Sequence, residues 1–302
     1  MRVDPTYLSS LTTSLDQTQS SLQQLTSELS SGVRVTSLST DPVASGQNVL
    51  LLNQMQQDDS FTQSSSLVKG QLQVADSALG SVVSQLTQVI TLATSANNGT
   101  MNSSNVKSIS SQIAGILGEI TTLANTSYQG QYIFAGGQTS TAPFSTSTAT
   151  SPAVTTYSGD ENINYLQMPN GGKIQLNVPG DQIFQGSGSN SVFAALNSLV
   201  ADYASGAVNT TQAVADTNAV STALNYVSQQ RVTIDNSITH LTSATDAVAS
   251  EQTQLTAAQT TLMQADYASV STQLTLAETQ QTALESVIAQ LGSTSNSLFS
   301  KI

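Results

Sequence analysis

The sequence predicts a mainly α protein, an antiparallel coiled-coil rod of long helices made by the two chain arms, with a small β-rich domain inserted between them. Three observations predict it. Apolar residues step by three and four over long stretches near both ends of the chain. Between about Tyr128 and Asn190 the period drops toward two, while Pro, Gly, Thr and aromatic residues become frequent. Only 9% of the 302 residues are charged, so Ser, Thr, Gln and Ala must cover the helical surfaces.

The first seam runs Leu8, Leu11, Leu15, Thr18, Leu22, Leu25 and Leu29 without a slip, as in a helix packed lengthwise on another. Ser31-Gly32 ends it, with Gly32 as the expected C-cap. Asp41-Pro42 starts the next helix, Asp41 as N-cap and Pro42 in the first helical position. A further seam runs Leu72, Ala75, Leu79, Val82, Leu86, Val89 and Ala93 until Asn97-Asn98-Gly99 breaks it, and Ile109, Ile113, Ile116, Ile120 and Leu123 mark another helix.

In the central segment, Ile163–Met168 and Lys173–Val178 flank Pro169-Asn170-Gly171-Gly172, a β-hairpin pattern whose turn requires positive φ. Phe193, Leu196, Val200 and Tyr203 then fall on one face of a short helix. From Val220 to Leu262 the seam holds a heptad register, shifts by about one residue near Asp266, and resumes from Val270 through Leu274, Leu284, Ile288, Leu291 and Leu298. The expected domains are 1–45 with 263–302 as a terminal coiled coil, 46–126 with 205–262 as a helical rod, and 127–204 as the β-rich insertion.

Composition narrows the function classes. Seven basic against nineteen acidic residues give a net charge of -12, and the basic ones are scattered, so nucleic acid and anionic membrane are poor partners. No cysteine is present, which removes disulfides and thiolate metal sites. No apolar run approaches the ~18 residues of a membrane span, and the first residues lack the apolar stretch of a secretory signal. Export, if it occurs, is expected by another route.

Chemistry-bearing constellations are sparse. The single histidine, His240, falls on a long amphipathic helix and reads as a surface or packing residue. No Gly-x-Ser-x-Gly turn frames a nucleophile. Asp58 and Asp59 are adjacent on a helix, point apart and read as solvated surface. Gly186-Ser187-Gly188 lacks the context of a phosphate loop and reads as a flexible linker. The expectation is a protein that is not an enzyme and holds no cofactor or metal.

Particular residues add a resemblance. The stretch from Leu29 through Gly32, Arg34 and Val35, followed by Asp41-Pro42, resembles the N-terminal signature of flagellins and their relatives. Leu86–Thr100 is similar to a second flagellin helical signature, although Gln88 and Ile90 stand where flagellins commonly have arginines. Asp266-Tyr267-Ala268 and the closing Leu298-Phe299 also match. Asn125, Tyr128-Gln129-Gly130-Gln131-Tyr132-Ile133-Phe134-Ala135-Gly136-Gly137 and Tyr157-Ser158-Gly159-Asp160 resemble the hook–filament junction members of that family.

The resemblance implies a structural subunit of the bacterial flagellum, exported unfolded through the flagellum's own channel without a cleaved signal peptide. It implies a homo-oligomeric ring between the first hook-associated protein and flagellin, and a cytoplasmic export chaperone on the C-terminal region. Leu8, Leu11, Leu15, Leu22, Leu25 and Leu29, with Leu274, Leu284, Ile288, Leu291, Leu298 and Phe299, would form the subunit-assembly interface. The apolar chain tips are then expected to be frayed alone and ordered on assembly. A filament subunit and, more distantly, a surface coiled-coil adhesin are the alternatives.

Overall fold

The computed structural model describes residues 5–147, 154–169, 171–186 and 191–299. It contains six α-helices in chain order: α1 (Pro5–Ser31), α2 (Pro42–Asn97), α3 (Ser103–Ala124), α4 (Val192–Ala204), α5 (Thr210–Met263) and α6 (Tyr267–Phe299). Three antiparallel strand pairs lie between α3 and α4: β1 (Ser127–Tyr128) with β2 (Gln131–Tyr132), β3 (Phe144–Ser147) with β4 (Val154–Tyr157), and β5 (Tyr165–Gln167) with β6 (Lys173–Gln175). The mainly α fold with a small β insertion is therefore the one the patterns predict. The chain divides into two compact units, one of Met1–Gln56 with Ser250–Ile302 and one of Gln57–Ala249.

In the first unit, α1 packs against α6. Ser14 and Ser21 of α1 share a groove with Ala277 and Val287 of α6, while Gly32 meets Ala265, so the two helices run antiparallel. Seam residues Leu11, Leu15, Leu22, Leu25 and Leu29 of α1 and Leu274, Leu284, Ile288 and Leu291 of α6 are only half-buried. Two helices alone cannot enclose a heptad face, because each covers one side of its partner.

The second unit has a closed core. Along α2, Leu72, Ala75, Leu79, Val82, Leu86, Val89 and Ala93 are buried in unbroken steps of three and four. On α5, Ala213, Val220, Val227, Ile234, Leu241 and Val248 are buried, each seven residues after the last. Helix α3 packs on α4, and the core continues into the insertion through Phe134, Phe144, Phe184 and Phe193. The Phe134–Phe184 and Phe144–Phe184 rings meet edge-on at 5.5 and 5.3 Å, the arrangement favoured by aromatic quadrupoles.

Three expectations need correction or refinement. Near Asp266 the helix does not merely shift register; α5 stops at Met263 and α6 starts afresh at Tyr267, with the Asp266 carboxylate accepting the Ala268 and Ser269 N–H groups at 3.0 and 3.2 Å. The hairpin pairing of the flanking segments forms, with Gly171 at φ 85, but its strands shorten to three residues each. The cause is local: Asn177 Oδ1 accepts from Asn164 N and Asn177 Nδ2 donates to Asn162 O, so a side-chain amide takes over from the ladder. Asp58 is wholly buried rather than solvated, whereas Asp59 is exposed. Adjacent helical residues do point apart, and here one of the two directions is inward. Ser187 and Gly188 of the expected linker lie outside the described residues.

Candidate assembly surface

Residues of the N- and C-terminal signatures, far apart in sequence, meet in the first unit. Arg34 N donates to Met263 O at 2.7 Å and Ala265 N donates to Gly32 O at 2.9 Å, so the segment after α1 pairs antiparallel with the break between α5 and α6. Gly32 adopts φ +71, and a Cβ placed there would lie 2.6 Å from the Tyr267 hydroxyl oxygen. Glycine is needed twice over, for the left-handed backbone and for the tyrosine's approach.

Arg34 Nη1 binds Asp41 Oδ2 at 3.0 Å while its Nη2 donates to Leu262 O at 3.3 Å. Asp41 Oδ1 accepts Ala44 N at 3.0 Å, the expected N-cap of α2 behind Pro42. The Ala44 N–H first, and Arg34 second, hold the Asp41 carboxyl below its ordinary value. Asp266 caps α6, so six residues, Gly32, Arg34, Asp41, Pro42, Asp266 and Tyr267, lie where α1, α2, α5 and α6 begin or end.

The remaining signature residues organise the insertion in the second unit. Tyr132 N donates to Thr139 O at 2.9 Å, and Phe134 sits in the aromatic cluster. Asp160 collects the Gly137 N–H, the Asn162 N–H at 3.1 Å and the Asn162 Nδ2 at 2.9 Å. Those donors, Gly137 foremost, lower its carboxyl from the ordinary value. Gly136 is at φ +67 and buried, and any side chain there would run into the Asp160 backbone. The Tyr157 hydroxyl lies 2.8 Å from Asp160 O and 3.1 Å from Phe134 O, and burial, first of all, pushes it up to about 12. These residues hydrogen-bond one another and so hold the loop from Phe134 to Asn162 together.

The predicted interface residues divide differently. Leu11, Leu15, Leu22, Leu25, Leu29, Leu274, Leu284, Ile288 and Leu291 lie on the α1 and α6 faces just described, and the side chains of Leu8, Leu298 and Phe299 lie outside the described ones. The first unit also exposes apolar bulk that the periodicity did not single out. Leu38, Val43, Val49, Leu50 and Leu52 are exposed, Leu50 at 69%, and on α6 so are Leu276 at 58% and Val287. A seam argument finds residues that repeat every seven; these fall off the seam, and only their surroundings reveal them. The α1–α6 groove, about 570 Å³, is lined by Gln17, Thr18, Gln280, Ala283 and Leu284 among others, mixed polar and apolar without an ionisable group. His240 is exposed on α5. Among the described residues no cluster of three metal-ligating groups occurs, and no helix is long and apolar enough to cross a membrane.

Residues 6–139 match the family model of the bacterial flagellin N-terminal helical region. Flagellar hook-associated protein 3 of Salmonella typhimurium is 28% identical over 179 residues, 59% of this chain and 55% of that protein. The Escherichia coli protein of the same name is 30% identical over 166 residues, 55% of this chain and 50% of that protein. The chain thus spans about half the length of these two relatives. The crystal structure of flagellar hook-associated protein 3 from Legionella pneumophila superposes with a TM-score of 0.62 at 12% identity, over 70% of this chain and 98% of that one, a likeness of fold. The chain thus matches the bacterial flagellin N-terminal helical region over residues 6–139 and is similar to flagellar hook-associated protein 3 along about half of that protein's length.

Proposed function

We propose that this chain is a structural subunit of the bacterial flagellum, an adaptor at the hook–filament junction that works by coiled-coil packing between copies and catalyses nothing. The observation that carries the reading is the state of α1 and α6: a heptad face present on both, half-buried in the single chain, with Leu276 and Val287 exposed next to it. Apolar surface removed from water stabilises by about 25 cal/mol per Å², so further copies laid on this pair gain what one chain cannot. In this reading 1–45 with 263–302 form the inner layer of a ring, 46–126 with 205–262 the rod around it, and 127–204 the outward insertion. The ring's neighbours are the first hook-associated protein and flagellin, with an export chaperone on the C-terminal region before assembly.

Leu291→Asp tests the packing, since a carboxylate buried without a partner costs several kcal/mol. The expected result is loss of ring formation with the second unit still folded. Undiminished assembly would overturn the reading. The match of 6–139 to flagellin favours one rival, a filament subunit. Pure protein added to filament seeds separates the two: an adaptor adds a limited layer, and a filament subunit elongates without limit.

A further inference from the structure

Where α4 gives way to α5, two carboxylates each have an oxygen buried without a donor. Asp202 lies near the end of α4 and Asp216 in the second turn of α5. Asp216 is 8% exposed, and its Oδ1 accepts from Gln212 Nε2 at 3.1 Å. Its Oδ2 and the Oδ2 of Asp202 are both shut off from water, and neither receives a donor from any other group among the described residues. The Asp216 side chain and its charge bear on the Asp202 carboxyl.

An ionised carboxylate is an acceptor only, so a bond between two of them needs a proton on one. With both ionised, two buried oxygens are orphaned and two like charges repel; one proton removes both penalties.

Among the described residues, neighbouring hydroxyls give their hydrogens elsewhere. Next along α4, buried Tyr203 gives its hydroxyl hydrogen to Asn97 Oδ1 of α2 at 2.9 Å. Thr217 of α5 gives its own to Ala213 O at 2.7 Å. On α3, Lys107 lies beside Gly206, and it forms no ion pair with either carboxylate.

We propose that Asp202 and Asp216 share a single proton, and that this proton clasps the end of α4 to the start of α5, making their junction a joint that closes in mildly acidic medium and loosens near neutrality. Burial first, then the bond to Asp216 and its charge, raises Asp202 to about 6 from 3.8. A folded value above the unfolded one stabilises fully below 3.8 and loses that contribution as pH rises through about 6.

Carboxyl-carbon NMR of the full chain, with labelled aspartate, tests the clasp directly. One resonance should titrate with a midpoint near 6 and vanish in both Asp202→Asn and Asp216→Asn. Amide exchange over Val192–Val220, corrected for its intrinsic pH dependence, should be severalfold faster near pH 7 than near pH 5 in the native chain. In Asp202→Asn, where a permanent amide donor replaces the proton, it should be flat. All aspartates titrating in the ordinary range, or the same exchange profile in both Asn variants as in the native chain, would overturn the proposal. So would a midpoint near 6 that falls when calcium is added, because the pair would then be a cation site.

Discussion

The guanidinium of Arg231 forks onto the carboxylate of Asp76, Nε to Oδ1 at 2.8 Å and Nη2 to Oδ2 at 3.1 Å, tying α5 to α2 inside the second unit. The fork lies over Gly80, where an added Cβ would be 3.6 Å from the guanidinium carbon, an ordinary contact. Both side chains keep a quarter to a third of their surface, so this pair ranks between a solvated ion pair and a buried one. Asp76→Asn is expected to cost about 1 kcal/mol, read as a lower urea midpoint at unchanged m-value. Arg231→Lys should recover little of it, because a point charge cannot make the fork.

Asn125 does for the insertion what a neighbouring strand would do. Its Nδ2 donates to Phe144 O at 2.8 Å and its Oδ1 accepts from Phe144 N at 2.9 Å, satisfying both backbone groups of a buried residue. Asn125→Leu leaves those two groups without partners and should destabilise the second unit by about 2–4 kcal/mol. Asn125→Asp keeps the acceptor and should cost less. Thermal unfolding of the two variants side by side checks the order.

Gly32→Ala should weaken the first unit selectively. It forces an L side chain into φ +71 and against the Tyr267 hydroxyl, a strain of about 1–2 kcal/mol. Tyr267→Phe combined with Gly32→Ala relieves the contact and leaves the backbone term, so partial rescue is expected. Hydrogen exchange at α1 and α6 reads the effect, with α3 and α4 as internal controls.

Acid should release the insertion's loop. The folded Asp160 carboxyl lies below its ordinary 3.8, so its contribution is present above that value and is lost as pH falls beneath it. Asp202 has the opposite sign over the range from 3.8 to about 6. The second unit is therefore expected to be most stable near pH 4–5, with a slope on each side. Asp160→Asn should flatten only the acid limb and Asp202→Asn only the other, measured as melting temperature against pH.

The chain tips supply a test of assembly that leaves the sequence unaltered. In dilute solution amide exchange is expected to be fast before Leu29 and after Ala265, and to slow once the ring forms. Equal protection in the free chain would show that the α1–α6 pair is complete without neighbours.

Much of this protein is set by periodicity, a local property that any chain displays before it folds. Steps of three and four place Leu72 through Ala93 on one helical stripe, and a strict seven-residue spacing from Val220 to Val248 leaves few faces to bury. Asp41-Pro42 and Gly32 fix helix ends by side-chain and backbone chemistry within a few residues, and both are legible in the sequence for that reason. What depends on partners distant in sequence is not legible. Nothing near Asp58 reveals that its side of α2 is covered, and nothing near Asp202 reveals a second carboxylate fourteen positions on. The pairing of Gly32 and Arg34 with Met263 and Ala265 spans more than two hundred residues, so only the packed chain decides that the two flagellin-like signatures form one junction. Burial and hydrogen-bond partners are properties of three-dimensional neighbours, whereas helix type and amphipathic face are properties of spacing.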